Sequence, residues 1–360
     1  MTGMVQSGSR PPAPRSVLII KPSALGDVVT ALPVLRGIKR SFPGAKVSWL
    51  VSTHCAPLIR HDSQLDAVVL FDRKRLGRAW RSPAAAVELA RFLLALRRGG
   101  YNWVIDLQGL VRSGIFAAAT FAGVRAGFAD AREAGWLFYN HPARPVEAHT
   151  VDRNIALARG LGIDARGEDM ALEVSRDGKA FAESFARKAG VARRGFVVCS
   201  PATTWPTKLY PVRHWRKVIG ELAGLLPVAV MGAPGDRQLC QEITEGLGAG
   251  VVDLAGQTSV DEMAGLIAAS AGAVCCDSAA KFIAPAVGVG CVVLIGPTRP
   301  AHTGPYLRGA AVVADVPCQG CLKKRCRHVT CMQSIEPGDV VLAARAMLSD
   351  VEERSASTAP

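Results

Sequence analysis

Three short segments of this chain gather side chains able to move a proton or hold an anion. In KPSALGDVVTALP (residues 21–33) the carboxylate of Asp27 sits where a loop enters a helical pattern, since Val28, Ala31, Leu32, Leu35 and Ile38 keep helical spacing. A carboxylate there can accept a proton from a nucleophile, and it serves equally as a first-turn acid complementing the helix dipole. In SPATTWPTKLYPVRHW (200–215) the hydroxyls of Thr203 and Thr204 and the ammonium of Lys208 suit a phosphate, which takes hydrogen bonds from the first two and a point charge from the third. In GAVCCDSAAKF (272–282) a strand pattern ends at Asp277 and Ser278 and a helix begins. No G-x-G-x-x-G follows a strand pattern, which speaks against a nicotinamide enzyme.

Four cysteines form a separate group, Cys318, Cys321, Cys326 and Cys331, the last three inside the basic run CLKKRCRHVTC. Four thiols this close in sequence can hold a structural zinc ion or an iron–sulfur cluster, and can equally be free thiols on a loop. Lys323, Lys324, Arg325 and Arg327 lie among them without an aromatic neighbour in sequence, so no nucleic-acid partner is expected. The other six cysteines (Cys55, Cys199, Cys240, Cys275, Cys276 and Cys291) sit in apolar contexts, as reduced thiols of a cytosolic protein do.

The elements that must position these groups recur as apolar run, turn and helical stretch. SVLII, KVSWLV, AVVLF and WVIDL read as strands with helices between them, and a second series runs FVVCS, PVAVMG, VVDLAG, GAVCCD and CVVLIG. Two parallel doubly wound units in tandem follow, with polar residues 164–194 between them. The 360 residues, 49% of them apolar, suffice for two cores. Residues 1–16 contain no apolar segment, and no stretch is long and apolar enough to span a bilayer, so a soluble protein is expected. The net charge of +13 calls for an anionic partner.

In order and spacing these segments resemble glycosyltransferase family 9, the heptosyltransferases of lipopolysaccharide core assembly. KPSALGDVVTALP resembles the family's first loop, WVIDLQGLVRSG its acceptor-side strand end, TTWPTKLYP its phosphate segment and GPTRPAHTGPY the segment closing the nucleotide side. AREAGWLFYN (131–140) is similar to the heptosyltransferase I branch.

The resemblance implies an α/β protein of GT-B fold, two Rossmann-like doubly wound domains facing a cleft. The expected layout is a tail over 1–15, an acceptor domain over 16–170, a nucleotide-sugar domain over 185–335, a helix over 336–352 crossing back to the first domain, and a tail over 353–360. The implied activity is inverting transfer of a heptose-like sugar from a nucleotide diphosphate, ADP-heptose, to an anionic glycolipid on the cytoplasmic face of the inner membrane, which the protein would touch peripherally. Asp27 would receive the acceptor hydroxyl's proton, late in the attack because a carboxylate is a weak base. Thr203, Thr204 and Lys208 would neutralise the departing diphosphate, so catalysis would need no cofactor. Lys21, Asp106, Gln108 and Arg112 would meet the acceptor, Asp106 serving otherwise as a helix cap. Asp236 would accept from ribose hydroxyls or simply form its turn.

One family segment is altered. After Asp277 and Ser278 the family has Gly, two variable residues and His, whereas this chain has Ala279, Ala280, Lys281 and Phe282. Lys281 either replaces the lost His as a phosphate contact or points to solvent, and a donor site decayed at this point would leave a non-catalytic binding protein.

Overall fold

The structure, a computed structural model, describes residues 11–78 and 81–357, with 350–357 as backbone. Of the two expected tails, residues 1–10 and 358–360 lie outside the described residues. The chain divides into two compact units, Met1–Glu173 and Val174–Pro360.

The first unit carries a six-stranded sheet of β1 (Ser16–Ile20), β2 (Lys46–Ser52), β3 (Ala67–Phe71), β4 (Trp103–Asp106), β5 (Val124–Phe128) and β6 (His141–Ala143). The second carries β7 (Val197–Ser200), β8 (Val228–Val230), β9 (Val251–Asp253), β10 (Gly272–Cys276), β11 (Gly290–Leu294) and β12 (Gly309–Val312). Every pairing is parallel. The strand orders are β3-β2-β1-β4-β5-β6 and β12-β11-β10-β7-β8-β9, the same winding twice. Such a sheet reverses direction between β1 and β4 in the first unit and between β7 and β10 in the second. The loops leaving the carboxyl ends of those strands open a crevice where ligands bind in folds of this type.

Continuous apolar runs make these central strands because both sheet faces are covered by helices. Val17, Leu18, Ile19 and Ile20 of β1 are fully buried, as are Val274, Cys275 and Cys276 of β10. All six cysteines outside the cluster are buried thiols. In the second unit the Val212–Ala223 helix places Trp215, Val218, Ile219 and Leu222 in the core, and the Pro337–Ser357 helix adds Val340, Val341 and Ala344 to it.

Candidate active site

In the second unit three loops converge on one carboxylate. Asp277 follows directly on β10 and is 4% exposed. Its Oδ2 accepts from Lys208 Nζ at 2.7 Å, brought by the loop after β7, and from Thr298 Oγ1 at 2.5 Å, brought by the loop after β11. Its Oδ1 pairs with the Lys281 ammonium one helical turn on, and its backbone carbonyl accepts from Thr203 Oγ1 at 3.3 Å. Burial pushes the Asp277 carboxyl up, but the ammoniums of Lys281 and Lys208 outweigh it and hold the group below the ordinary carboxylate value. Two ammoniums on one carboxylate leave a unit of positive charge at the reversal point of the sheet. Lys208 is the more open of the two, its side chain 13% exposed against 6% for Lys281.

Lys281 therefore does not point to solvent. The anion that offsets its place in the first turn of the Ala280–Ala286 helix is the protein's own Asp277. Ala279 has φ −64°, which any residue adopts, so the lost glycine is missed for its absent methyl and not for its backbone freedom. Phe282, standing where the family has His, is 4% exposed and faces inward, with the Lys281 ammonium 4.7 Å from its ring centre. Ser278 is half-buried with its Oγ unpaired, and Thr204 is exposed. Asp236 is a turn former in this structure: its Oδ2 accepts from the Ala233 amide at 2.8 Å.

The cysteine segment is stitched to these same loops. Thr207 Oγ1 donates to the Lys323 carbonyl at 2.8 Å, Gln319 Nε2 donates to the Thr298 carbonyl at 3.0 Å, and the Leu322 amide donates to the Pro297 carbonyl at 2.7 Å. The fold also supplies the aromatic neighbour missing from the basic run in sequence. Trp205 has the Lys208 ammonium 4.4 Å and the Lys324 ammonium 4.9 Å from its ring centre. The structure lends no support to a metal centre of Cys318, Cys321, Cys326 and Cys331: among the described residues no three Cys, His, Asp or Glu side chains are gathered to hold an ion. Cys331 is buried in the core of the second unit, while Cys321 is exposed. Gly296 makes room for Cys331, since a β-carbon there would lie 2.9 Å from its sulfur.

In the first unit, Asp27 sits in the first turn of the Leu25–Val29 helix, half-buried. Its Oδ2 accepts from the Ala24 amide at 3.0 Å, so the structural role of a first-turn acid is real. Thr30 Oγ1 donates to the Asp27 carbonyl at 2.8 Å, and buried Asn154 donates to the Thr30 carbonyl at 3.0 Å, which fixes the turn from behind. Nothing in the local sequence marks Asn154, which acts from 124 residues away.

Two residues expected to face the acceptor are internal instead. Lys21 is 6% exposed and donates to the Leu107 carbonyl at 2.7 Å, bridging the β1 and β4 ends. Asp106 has no exposure; its Oδ2 accepts from the Tyr139 hydroxyl at 2.6 Å and its Oδ1 from the Gln108 amide at 2.9 Å and the Gly109 amide at 3.3 Å. Burial pushes the Asp106 carboxyl above its ordinary value despite these donors. Both groups shape the loop, while Gln108 is half-buried and Arg112 is exposed with its guanidinium 5.9 Å from the Phe71 ring centre. The residues missed from sequence are thus Thr298, Trp205, Tyr139 and Asn154. Of these only Asn154 lay outside the segments already singled out, Thr298 being in GPTRPAHTGPY, Trp205 in TTWPTKLYP and Tyr139 in AREAGWLFYN.

Two units of the same parallel winding, with two lysines on the carboxylate at the reversal point of the second, are the architecture of the GT-B fold. The chain belongs to glycosyltransferase family 9 (heptosyltransferase), which residues 89–331 match. It is 30% identical over 299 residues to lipopolysaccharide heptosyltransferase 1 of Salmonella typhimurium, covering 81% of this chain and 91% of that one. Among solved structures, E. coli heptosyltransferase WaaC with ADP superposes with TM-score 0.72 at 26% identity, over 92% of this chain and 99% of that one. The family 9 glycosyltransferase of Veillonella parvula gives TM-score 0.78 at 18% identity, over 93% and 97%.

Proposed function

We propose that the chain transfers a heptose, with inversion, from ADP-heptose to an anionic lipopolysaccharide-core glycolipid at a membrane face. The observation that carries this reading is the over-neutralised Asp277, whose two ammoniums leave positive charge for a diphosphate. The similarity to a lipopolysaccharide heptosyltransferase 1, and to WaaC solved with ADP and with ADP-2-deoxy-2-fluoro heptose, supports the donor and the acceptor class.

In the reaction the acceptor oxygen attacks the anomeric carbon from the face opposite the diphosphate. As that bond forms, the bond from the anomeric carbon to the diphosphate oxygen breaks, and ADP leaves with the electron pair. Asp27 takes the proton that the attacking hydroxyl loses. Lys208, with the hydroxyls of Thr203, Thr204 and Ser278, stabilises the charge that grows on the leaving diphosphate. Arg112 and Gln108 serve the anionic acceptor.

Calorimetric titration with ADP tests the donor side. Lys208→Ala should weaken ADP binding by about 1 to 3 kcal/mol, the loss of a charge-assisted hydrogen bond. Lys281→Met should also weaken it, because Asp277 then cancels Lys208. Adding Asp277→Asn to Lys281→Met should restore much of the lost affinity by freeing the Lys208 charge. Unchanged affinity in Lys208→Ala, or no recovery in the double variant, would refute the charge argument.

A further inference from the structure

Lys208 and Lys281 share the carboxylate of Asp277, so the cluster after β7 and β10 keeps the charge of a single ammonium. A nucleotide sugar carries a negative charge on each phosphate, and its diphosphate gains another as the sugar departs. For the transfer proposed above, the cluster is short of cations.

A further ammonium stands beside it. Trp205, three residues before Lys208, has the Lys208 ammonium 4.4 Å and the Lys324 ammonium 4.9 Å from its ring centre. The face of an indole attracts an ammonium through its quadrupole and brings no charge that would cancel it. Lys324 is exposed, and the ion pairs described in the second unit are those of Asp277 with Lys208 and Lys281 and of Glu221 with Arg345. Its charge is therefore available to an anion that also reaches Lys208.

The backbone around Lys324 is fixed by the loops that build the cluster. Buried Thr207, one residue before Lys208, donates its hydroxyl to the Lys323 carbonyl at 2.8 Å. On the other side the Leu322 amide donates to the Pro297 carbonyl at 2.7 Å and Arg299 Nε to the Gly320 carbonyl at 3.2 Å. The segment that carries the cysteines thus delivers one particular lysine to the loop after β7. Of the four cations Lys323, Lys324, Arg325 and Arg327, only Lys324 has a ring beside it among the described residues.

We propose that Lys324 is a second cation for the diphosphate of the donor, held in place by Trp205, and that it makes the site prefer a diphosphate to a monophosphate. The proposal rests on the donor reading above and adds to it a residue that reading does not use. Lys324 meets the phosphates, whereas Trp205 acts through the ammoniums at its ring as a positioning residue.

The test is calorimetric titration of the full chain with ADP, AMP and inorganic pyrophosphate. Lys324→Ala should weaken ADP and pyrophosphate binding about tenfold in about 50 mM salt and AMP binding less than about twofold, and the loss should shrink in about 300 mM salt. Lys324→Arg should keep most of the parent's affinity, since the charge remains. Lys323→Ala should change no affinity by more than about twofold, because no ring holds that ammonium. Trp205→Leu should narrow the ratio of ADP to AMP affinity as Lys324→Ala does, and Trp205→Phe, which keeps a ring, should restore most of it. Combined, Trp205→Leu and Lys324→Ala should lose less than the product of the single losses, as residues acting on one ligand through one contact do. An unchanged ratio in Lys324→Ala, or an equal loss in Lys323→Ala, would overturn the proposal. A loss in Trp205→Leu that is equal for ADP and AMP and absent for pyrophosphate would make Trp205 a platform for the base and overturn its assignment. A parent that binds pyrophosphate through Lys324 and ignores ADP would remove the donor reading and leave this anion site standing, and one that binds neither would overturn both.

Discussion

Asp27 has two duties that a single substitution separates. Its Oδ2 caps the local turn through the Ala24 amide, and Asn keeps an oxygen for that bond while losing the capacity to take a proton. Asp27→Asn should therefore leave the melting temperature and ADP affinity unchanged while lowering turnover at least about a hundredfold, as measured in steady-state kinetics. Near-normal turnover would confine Asp27 to the cap. Asp277 separates differently, because its pairing is structural before it is anything else. Removing its charge leaves the ammoniums of Lys208 and Lys281 facing each other in a buried place, and Asp277→Asn should destabilise the protein by about 3 to 5 kcal/mol near neutral pH. The sign with pH follows from its depressed value in the folded state. The stabilisation is present above the unfolded carboxylate range and is lost as pH falls through the folded value, so the melting curves of parent and variant should converge in acid. A gap that widened in acid would contradict the pairing.

At the scale of elements, the first unit depends on how the loop after β4 is held. Gly127 on β5 leaves space for Tyr139, since a β-carbon at that position would lie 2.3 Å from the tyrosine ring, and Tyr139 in turn supplies the hydroxyl that Asp106 accepts. Tyr139→Phe should cost about 1 to 3 kcal/mol in urea unfolding, because it strips a donor from a fully buried carboxylate. An unchanged midpoint would mean that water replaces the hydroxyl. The long buried strands were legible in the sequence because apolar runs bounded by turn residues have few other uses, and the loops bearing Asp27, Lys208 and Asp277 were legible through their residue types. Strand β5 and the edge strands β6 and β12 were not. VRAGF, HPA and GAAV are short, carry Gly, Pro or Arg, and owe their extended form to a neighbour in the sheet. Side-chain direction was also hidden: the sequence offered Lys281 as a phosphate contact or a solvent-facing lysine, and only its spacing of four from Asp277 hinted at the buried pair. Asp106 and Lys21 read as ligands because charged groups seldom lie fully inside, and they lie inside because the loops they hold reach across the reversal point of the sheet.

For the whole molecule, charge sets the response to acid. The 43 Lys and Arg residues face 30 carboxylates, and seven histidines add to the positive side as they protonate. As pH falls below about 5 the exposed carboxylates begin to neutralise and repulsion among the cations grows, which favours the expanded state. Asp277 and Asp66, both held below the ordinary carboxylate value, add to this loss because folded protein resists the protons that unfolded chain accepts. Asp106 works the other way. Its raised value means that the folded state binds its proton more readily than the unfolded chain, so its contribution improves as pH falls through the folded value toward the unfolded one. The repulsion and the depressed carboxylates outnumber that single gain, so the melting temperature should drop from pH 7 toward about pH 4, and more steeply in about 10 mM salt than in about 300 mM, where the Debye length is short. Asp106→Asn removes the compensating proton and should make the drop steeper than in the parent at either salt concentration. Calorimetric scans across pH at the two salt concentrations provide the measurement, and a melting temperature that held steady or rose in acid at low salt would show that cation repulsion does not govern this chain.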